Sequence, residues 1–296
     1  MEILKENTTP RSDLVNKEVA FNIIQEALQD IPKVEAMIRN EPAKLLQTRT
    51  KSIASDYERI AFFAYAIGYP IEYVREAFAF AAEYELKVFK LRGTEPPFPA
   101  YSLTYDPQYP PGTPESIVEY KKINPDEFDY SLTNSRAALM AFYYGYLSGQ
   151  YETAEKIAEL IWDPEKSRYI GPRAYCTMDH HHLAYSLRSY LAGDEDSANA
   201  RLKKIFPRKG NQSVFLQSRM LKAILEKNPE EFLDSNQELI AYQKKWQKRK
   251  ISAGYPEFYL CTESLGLSEL AVRRGLFNYE DLPQGDSCSP VELITL

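Results

Sequence analysis

The chain has few of the residues from which most familiar active and metal sites are built. Among 296 residues there are three cysteines, three histidines and 12 glycines. Cys176, Cys261 and Cys288 are too few and too scattered for a disulfide framework, and their odd number points to reduced thiols in a reducing compartment. The histidines are consecutive, His180, His181 and His182. Neighbours on a helix point ~100° apart, so three in a row do not converge on one ion; helical metal ligands sit at i and i+3 or i+4. Asp179 and His182 have that spacing but offer two ligands only. The expectation is no metal, with one buried and two exposed histidines near a helix start. There is no Gly-x-Ser-x-Gly elbow, phosphate loop, dinucleotide fingerprint or His-Glu-x-x-His pair, so neither catalytic residues nor a cofactor are expected. No stretch approaches the ~18 uncharged apolar residues of a membrane span, and the first twenty residues lack the apolar core of a secretory signal. The chain therefore reads as cytoplasmic, without a membrane partner.

What is present is an ordinary globular composition, 44% hydrophobic and 26% charged, with 22 tyrosines and 14 phenylalanines. A net charge of −6 sets the field of the chain against nucleic acid and suits a basic partner. The run Lys244 to Lys250 interleaves cations with Trp246, as a nucleic-acid patch would. It also ends a long helix, where cations complement the dipole, and Leu239, Tyr242 and Trp246 extend an apolar stripe toward the core. No nucleic-acid partner is expected. Carboxylate pairs such as Glu83 with Glu85, or Glu152 with Glu155, read as solvated helix faces.

Apolar residues recur at helical spacing nearly throughout. A first helix spans about 14–38, with Pro32 at or near its break. A second, from about Lys51 to Ile67, runs into Gly68-Tyr69-Pro70, a stop followed by a start for a third helix to about Leu91. Residues 93–129 carry eight prolines and several aromatics, which predicts an ordered loop packed on the helices, interrupted by a short helix around Pro114 to Lys122. Beyond it, three helix pairs repeat one grammar: turns at Gly149-Gln150, Gly193-Asp194 and Asn228-Pro229, each followed by acidic residues. The first member of each pair ends at Gly or Asn. A last helix, Phe258 to Arg274, stops at Gly275, and an acidic tail straps across the last hairpin. The fold class is all-α: stacked antiparallel helical hairpins, loosely tetratricopeptide-like, with a Pro-rich ordered loop. The parts are 1–92, 93–129 and 130–296, read as one continuous domain 1–296.

The segment Phe258-Tyr-Leu-Cys-Thr-Glu-Ser-Leu-Gly-Leu-Ser-Glu-Leu-Ala-Val-Arg-Arg-Gly-Leu276, with Ser289-Pro290-Val291-Glu292-Leu293-Ile294 after it, resembles the close of the immunity protein 49 family of bacterial polymorphic-toxin systems. The hairpin Ala137 to Leu160 is similar to that family in layout. The tail departs from the family's short Tyr-Leu-Pro ending, having Leu282-Pro283-Gln284-Gly285 instead. The resemblance implies a cytoplasmic antidote that binds and blocks a cognate toxin, and it carries over no catalytic residues. Were the toxin a basic nuclease, acidic residues at the hairpin turns and tail, Glu152, Asp194, Glu195, Asp196, Glu280 and Asp281, would steer association. The competing readings are a helical-repeat adaptor or scaffold, and an enzyme that reverses a toxin's modification. Oligomeric state is not legible in the sequence.

Overall fold

A turn with one hydrogen-bond pattern recurs along the chain and sets its architecture. In the computed structural model, which describes residues 1, 8–38, 43–92, 101–105, 117–122, 133–163, 177–208, 210–252 and 254–294, ten α-helices are present among the described residues. They are α1 (Lys17–Ile38), α2 (Ala43–Ala66), α3 (Ile71–Arg92), α4 (Ser135–Leu147), α5 (Tyr151–Glu159), α6 (Met178–Leu191), α7 (Glu195–Leu202), α8 (Gln212–Glu226), α9 (Pro229–Ser252) and α10 (Thr262–Arg273). Short 3-10 turns follow at Pro256–Tyr259, Tyr279–Asp281 and Val291–Leu293. At six helix ends the residue one past the left-handed position donates its N–H five residues back: Tyr69 to Ala64, Gln150 to Gly145, Asp194 to Ser189, Asn228 to Ala223, Tyr255 to Lys250 and Leu276 to Ala271. This closure satisfies carbonyls that a helix end would otherwise leave bare. Five of the six left-handed positions are glycine (68, 149, 193, 254 and 275).

The sixth departs from the expected grammar. Lys227, not Asn228, takes the left-handed conformation, at φ 54°. The Asn228 side chain instead accepts from the Glu231 N–H and so begins the next helix. Pro32 does not break α1 but lies inside it, giving up one i to i−4 bond, while Ala20, Ile24, Ala27 and Ile31 keep the buried stripe continuous on both sides. Burial of each such isoleucine contributes about 1.5–3 kcal/mol, enough to hold a helix across one lost bond.

The short helix expected near Pro114 to Lys122 is replaced by a strand. β1 (Tyr101–Tyr105) pairs antiparallel with β2 (Ile117–Lys122), Leu103 facing Tyr120, with an irregularity at Thr104/Tyr105. Both segments are rich in β-branched and aromatic residues, which favour a pleated strand. The other residues of the Pro-rich stretch, 93–100, 106–116 and 123–129, lie outside the described residues.

Packing runs α1 on α2, α2 on α3 and α3 on α4; α4 then meets α5, α6 and α10, while α6 to α9 continue as two further hairpins. Two close approaches set the spacing at α4. A Cβ at Gly145 would lie 2.7 Å from the Ala154 Cβ of α5, and one at Gly266 would lie 2.6 Å from Tyr143 Cδ1. The tail reaches further than the last hairpin. Lys244 pairs with Asp286 at 2.6 Å, Tyr65 Oη donates to the Ser287 carbonyl at 2.7 Å, and Arg75 donates to the Glu292 and Leu293 carbonyls at 2.8 Å each. It therefore spans from α9 back to α2 and α3. No helix among the described residues is long and apolar enough to cross a membrane.

Candidate functional site

Because short turns alternate with longer connections, α4, α6, α8 and α10 all start at one end of the stack. Between these starts and the end of α9 lies a cavity of about 730 Å³, partly open to solvent. Its inner wall is Leu139 and Tyr143 of α4, Val214 and Gln217 of α8, and Thr262 of α10, all buried. Tyr143 Oη donates to Gln217 Oε1 at 2.8 Å, which fixes the wall in place. Toward the mouth stand Arg136, Trp246, Arg249, Lys250 and Tyr255, the last 47% exposed. Arg249 lies 5.8 Å from the Trp246 ring centroid, and Lys250 lies 4.8 Å from that of Tyr255.

Two carboxylates also face this space. Glu263 is half-buried, and desolvation raises its carboxyl pKa against the opposing pull of its own backbone N–H, Arg136 and the Thr262 hydroxyl. Glu257 is raised for the same main reason, reinforced by Glu58 and opposed by its own backbone N–H and Arg136. Arg136 is exposed, and its charge reaches Glu257, Glu263 and His180. The Trp246 Nε1–H is buried and has no hydrogen-bond partner among the described residues. Asn211, which precedes α8, gives that helix no side-chain cap, whereas at the start of α10 the Glu263 carboxylate accepts from its own backbone N–H. The cavity thus brings cations and carboxylates side by side.

The histidines depart from expectation. His181 and His182 are both buried and His180 is half-buried, because α6 is packed by α4, α5, α7 and α8 at once. His181 Nδ1 shares a 2.7 Å hydrogen bond with Ser135 Oγ, and His180 closes a capping box with Thr177 at the cavity wall. Desolvation first, then Arg136 and His181, push the His180 pKa down to about 3; desolvation and His182 lower His181 to about 4. Asp179 accepts from Arg208 at 2.9 Å and from Asn211 at 2.7 Å. Among the described residues no group of three or more His, Cys, Asp or Glu could hold a metal ion.

Other sequence expectations also move. Leu239 is buried in the core and Tyr242 packs against it, but Trp246 stops at the cavity wall, so the stripe of α9 is divided between core and site. Lys244 is engaged by Asp286. Glu85 is not on a solvated face: it is 3% exposed and ion-paired with Lys51, buried because α3 is enclosed by α2 and α4. Cys261 and Cys288 are buried free thiols, raised above the usual thiol range chiefly by desolvation, and Cys176 lies outside the described residues.

The six acidic positions singled out in the sequence lie away from the cavity lining, and all are exposed. Three are engaged locally: Glu152 with Lys156 at 2.6 Å, Asp194 with the Ser197 N–H, and Asp281 with the Asn278 N–H. The end of α10 contacts the segments that carry them. Buried Glu269 accepts from Tyr151 at 2.7 Å and from Tyr279 at 2.8 Å, Arg273 covers the Tyr151 ring at 3.6 Å, and Arg274 lies 5.5 Å from Tyr190. Arg273 and Arg274 therefore stand among the acids and dilute their field.

Sequence reasoning did not find the cavity. Its legible trace was the cation and aromatic interleaving of Lys244 to Lys250, followed by Tyr255, Glu257 and Phe258; what the sequence hid was that α4, α6 and α8 start beside them. No family model matches the chain, and no curated protein or solved structure is significantly similar to it.

Proposed function

We propose that this protein is a binding protein that neutralises a cognate bacterial toxin by stoichiometric association, as the resemblance of 258–276 to immunity protein 49 implies. The observation that carries a binding role is the half-open cavity, walled by Tyr242, Trp246, Tyr255 and Phe258 with Arg136 and Arg249 at its mouth. Trp, Tyr and Arg are the residue types that dominate protein-binding energy, and a concave setting allows them to desolvate a protruding group. The acidic turns away from the cavity supply a second, longer-range contribution: Glu195, Asp196 and Glu280 remain on the surface and accelerate encounter with a basic toxin surface.

The experiment is co-expression with the product of the adjacent gene. Suppressed toxicity with an isolable one-to-one complex supports the reading. Absence of toxicity, or suppression without a complex, overturns it in favour of an adaptor or of enzymatic reversal respectively. Charge reversal at Glu152, Asp194, Glu195, Asp196, Glu280 and Asp281 together should slow association about tenfold and flatten its salt dependence. An unchanged on-rate would remove the steering role and leave the complex itself standing.

A further inference from the structure

The tail crosses the start of α10 at the point where two thiols meet. Lys244 pairs with Asp286, Tyr65 donates to the Ser287 carbonyl at 2.7 Å, Ser264 and Ser289 share a 2.9 Å hydrogen bond, and Arg75 holds the Glu292 and Leu293 carbonyls. In the middle of this strap the Cys261 N–H donates to the Cys288 carbonyl at 2.7 Å. With standard bond lengths that distance keeps the two Cα atoms within about 6.6 Å, inside the roughly 4.4–6.8 Å that a disulfide spans. The same N–H is also directed at the Cys288 sulfur, and the charge of Cys288 reaches the Cys261 thiol. Both thiols are free, and both are buried in the core.

Nearness does not by itself make them reactive, because the thiolate is the nucleophile. Desolvation above all pushes Cys288 up to about 12 and holds Cys261 well above the usual thiol range. While the strap is shut, neither attacks an oxidant. Lifting 286–288 breaks the Lys244–Asp286 pair and the Tyr65 hydrogen bond, and returns the Cys288 thiol to water, where its pKa is about 8.5.

We propose that Cys261 and Cys288 form an oxidation site that hydrogen peroxide closes to an intramolecular disulfide, and that the tail strap is its gate. In the lifted tail the Cys288 thiolate attacks one peroxide oxygen; the O–O bond breaks, Cys288 becomes a sulfenic acid, and the leaving hydroxide takes up the thiol proton as water. When the strap returns, the Cys261 sulfur attacks the sulfenic sulfur. The S–S bond forms, the S–O bond breaks, and the hydroxyl leaves with the Cys261 proton as a second water. The thiols together lose two electrons and two protons, which reduce the peroxide. Confinement beside the sulfenic acid offsets the high pKa of Cys261. The bond ties residue 288 to the residue that precedes α10, next to Thr262 and Glu263 of the cavity lining, so the tail and that wall are fixed together. This chemistry is independent of any toxin.

The test treats the full chain carrying Cys176→Ser, in which Cys261 and Cys288 are the remaining thiols, with hydrogen peroxide. The expected product is a single chain lighter by two hydrogens, whose digest joins the peptides of Cys261 and Cys288. Protease should cut it more slowly within 277–294, and dithiothreitol should reverse both changes. Tyr65→Phe removes one hydrogen bond of the strap and keeps the ring, so it should speed bond formation about fivefold. Cys261→Ser should halt the reaction at the Cys288 sulfenic acid. Thiols that stay reduced, a disulfide between two chains, or sulfinic acid in place of the bond would overturn the proposal. So would a rate in Tyr65→Phe that is unchanged or lower, since the strap would then not be the gate.

Discussion

Gly266 and Tyr143 meet so closely that a Cβ on residue 266 would lie 2.6 Å from Tyr143 Cδ1 and 2.8 Å from its Cβ. This contact sets the distance between α10 and α4, and Tyr143 is also a wall of the cavity. The core and the candidate site therefore share one side chain. Gly266→Ala must displace Tyr143 or separate the helices, and should cost about 1–3 kcal/mol in chemical denaturation. It should also shift the NMR resonance of the Trp246 indole N–H, whereas Gly193→Ala, whose Cβ would meet nothing within 4 Å, costs only its backbone strain and leaves that resonance in place.

Glu269 is wholly buried and accepts from two tyrosines, Tyr151 and Tyr279, of different segments. Glu269→Leu leaves both hydroxyls without their acceptor and should lower stability by about 1–3 kcal/mol, while Glu269→Gln, which keeps one acceptor oxygen, should lose less. Limited proteolysis within 277–294 reports whether the tail loosens along with the loss of global stability. Faster cleavage in Glu269→Leu alone is the expected result.

The histidines make acid resistance readable. A histidine whose folded pKa is depressed binds its proton more readily in the unfolded state, so its contribution is lost as pH falls from about 6.5 toward the folded value. For His180 and His181 the folded values are about 3 and about 4, so the loss runs from about pH 6.5 down to about 3 for His180 and about 4 for His181, with a slope for each of at most about 1.4 kcal/mol per pH unit. The raised carboxyls of Glu85, Glu257 and Glu263 act with the opposite sign, since the folded state then holds the extra proton. The difference between wild type and His180→Gln isolates one histidine: denaturation midpoints should converge as pH falls from 7 to 4.5. Parallel curves would contradict the depressed pKa.

Lys227 holds a left-handed backbone that glycine holds at the other five turns of this kind, and it is exposed. Relief of that strain exceeds the chain entropy that glycine adds to the unfolded state, so Lys227→Gly should stabilise by about 0.5–1 kcal/mol. A thermal unfolding midpoint that rises in the variant checks this, and Lys227→Ala serves as the control that should not rise.

Much of the helical plan was legible because it is written locally. Apolar spacing located the helices, glycine followed by acidic residues located turns at 149 and 193, and glycine behind Arg273 and Arg274 located the stop at 275, since left-handed closure and dipole complementarity depend on a few neighbouring residues. The Pro32 break and the helix near 114–122 were misread for the same reason: local rules placed a stop where burial carried α1 through, and a helix where cross-chain pairing made a strand. Tertiary structure alone decided that His181, His182 and Glu85 would be buried, that Trp246 would stop short of the core, and that Arg136, Glu257 and Glu263 would line one space. Those outcomes depend on which helix ends are brought side by side, a property of packing between segments far apart in the chain. The sequence determined the hairpins; their stacking made the cavity.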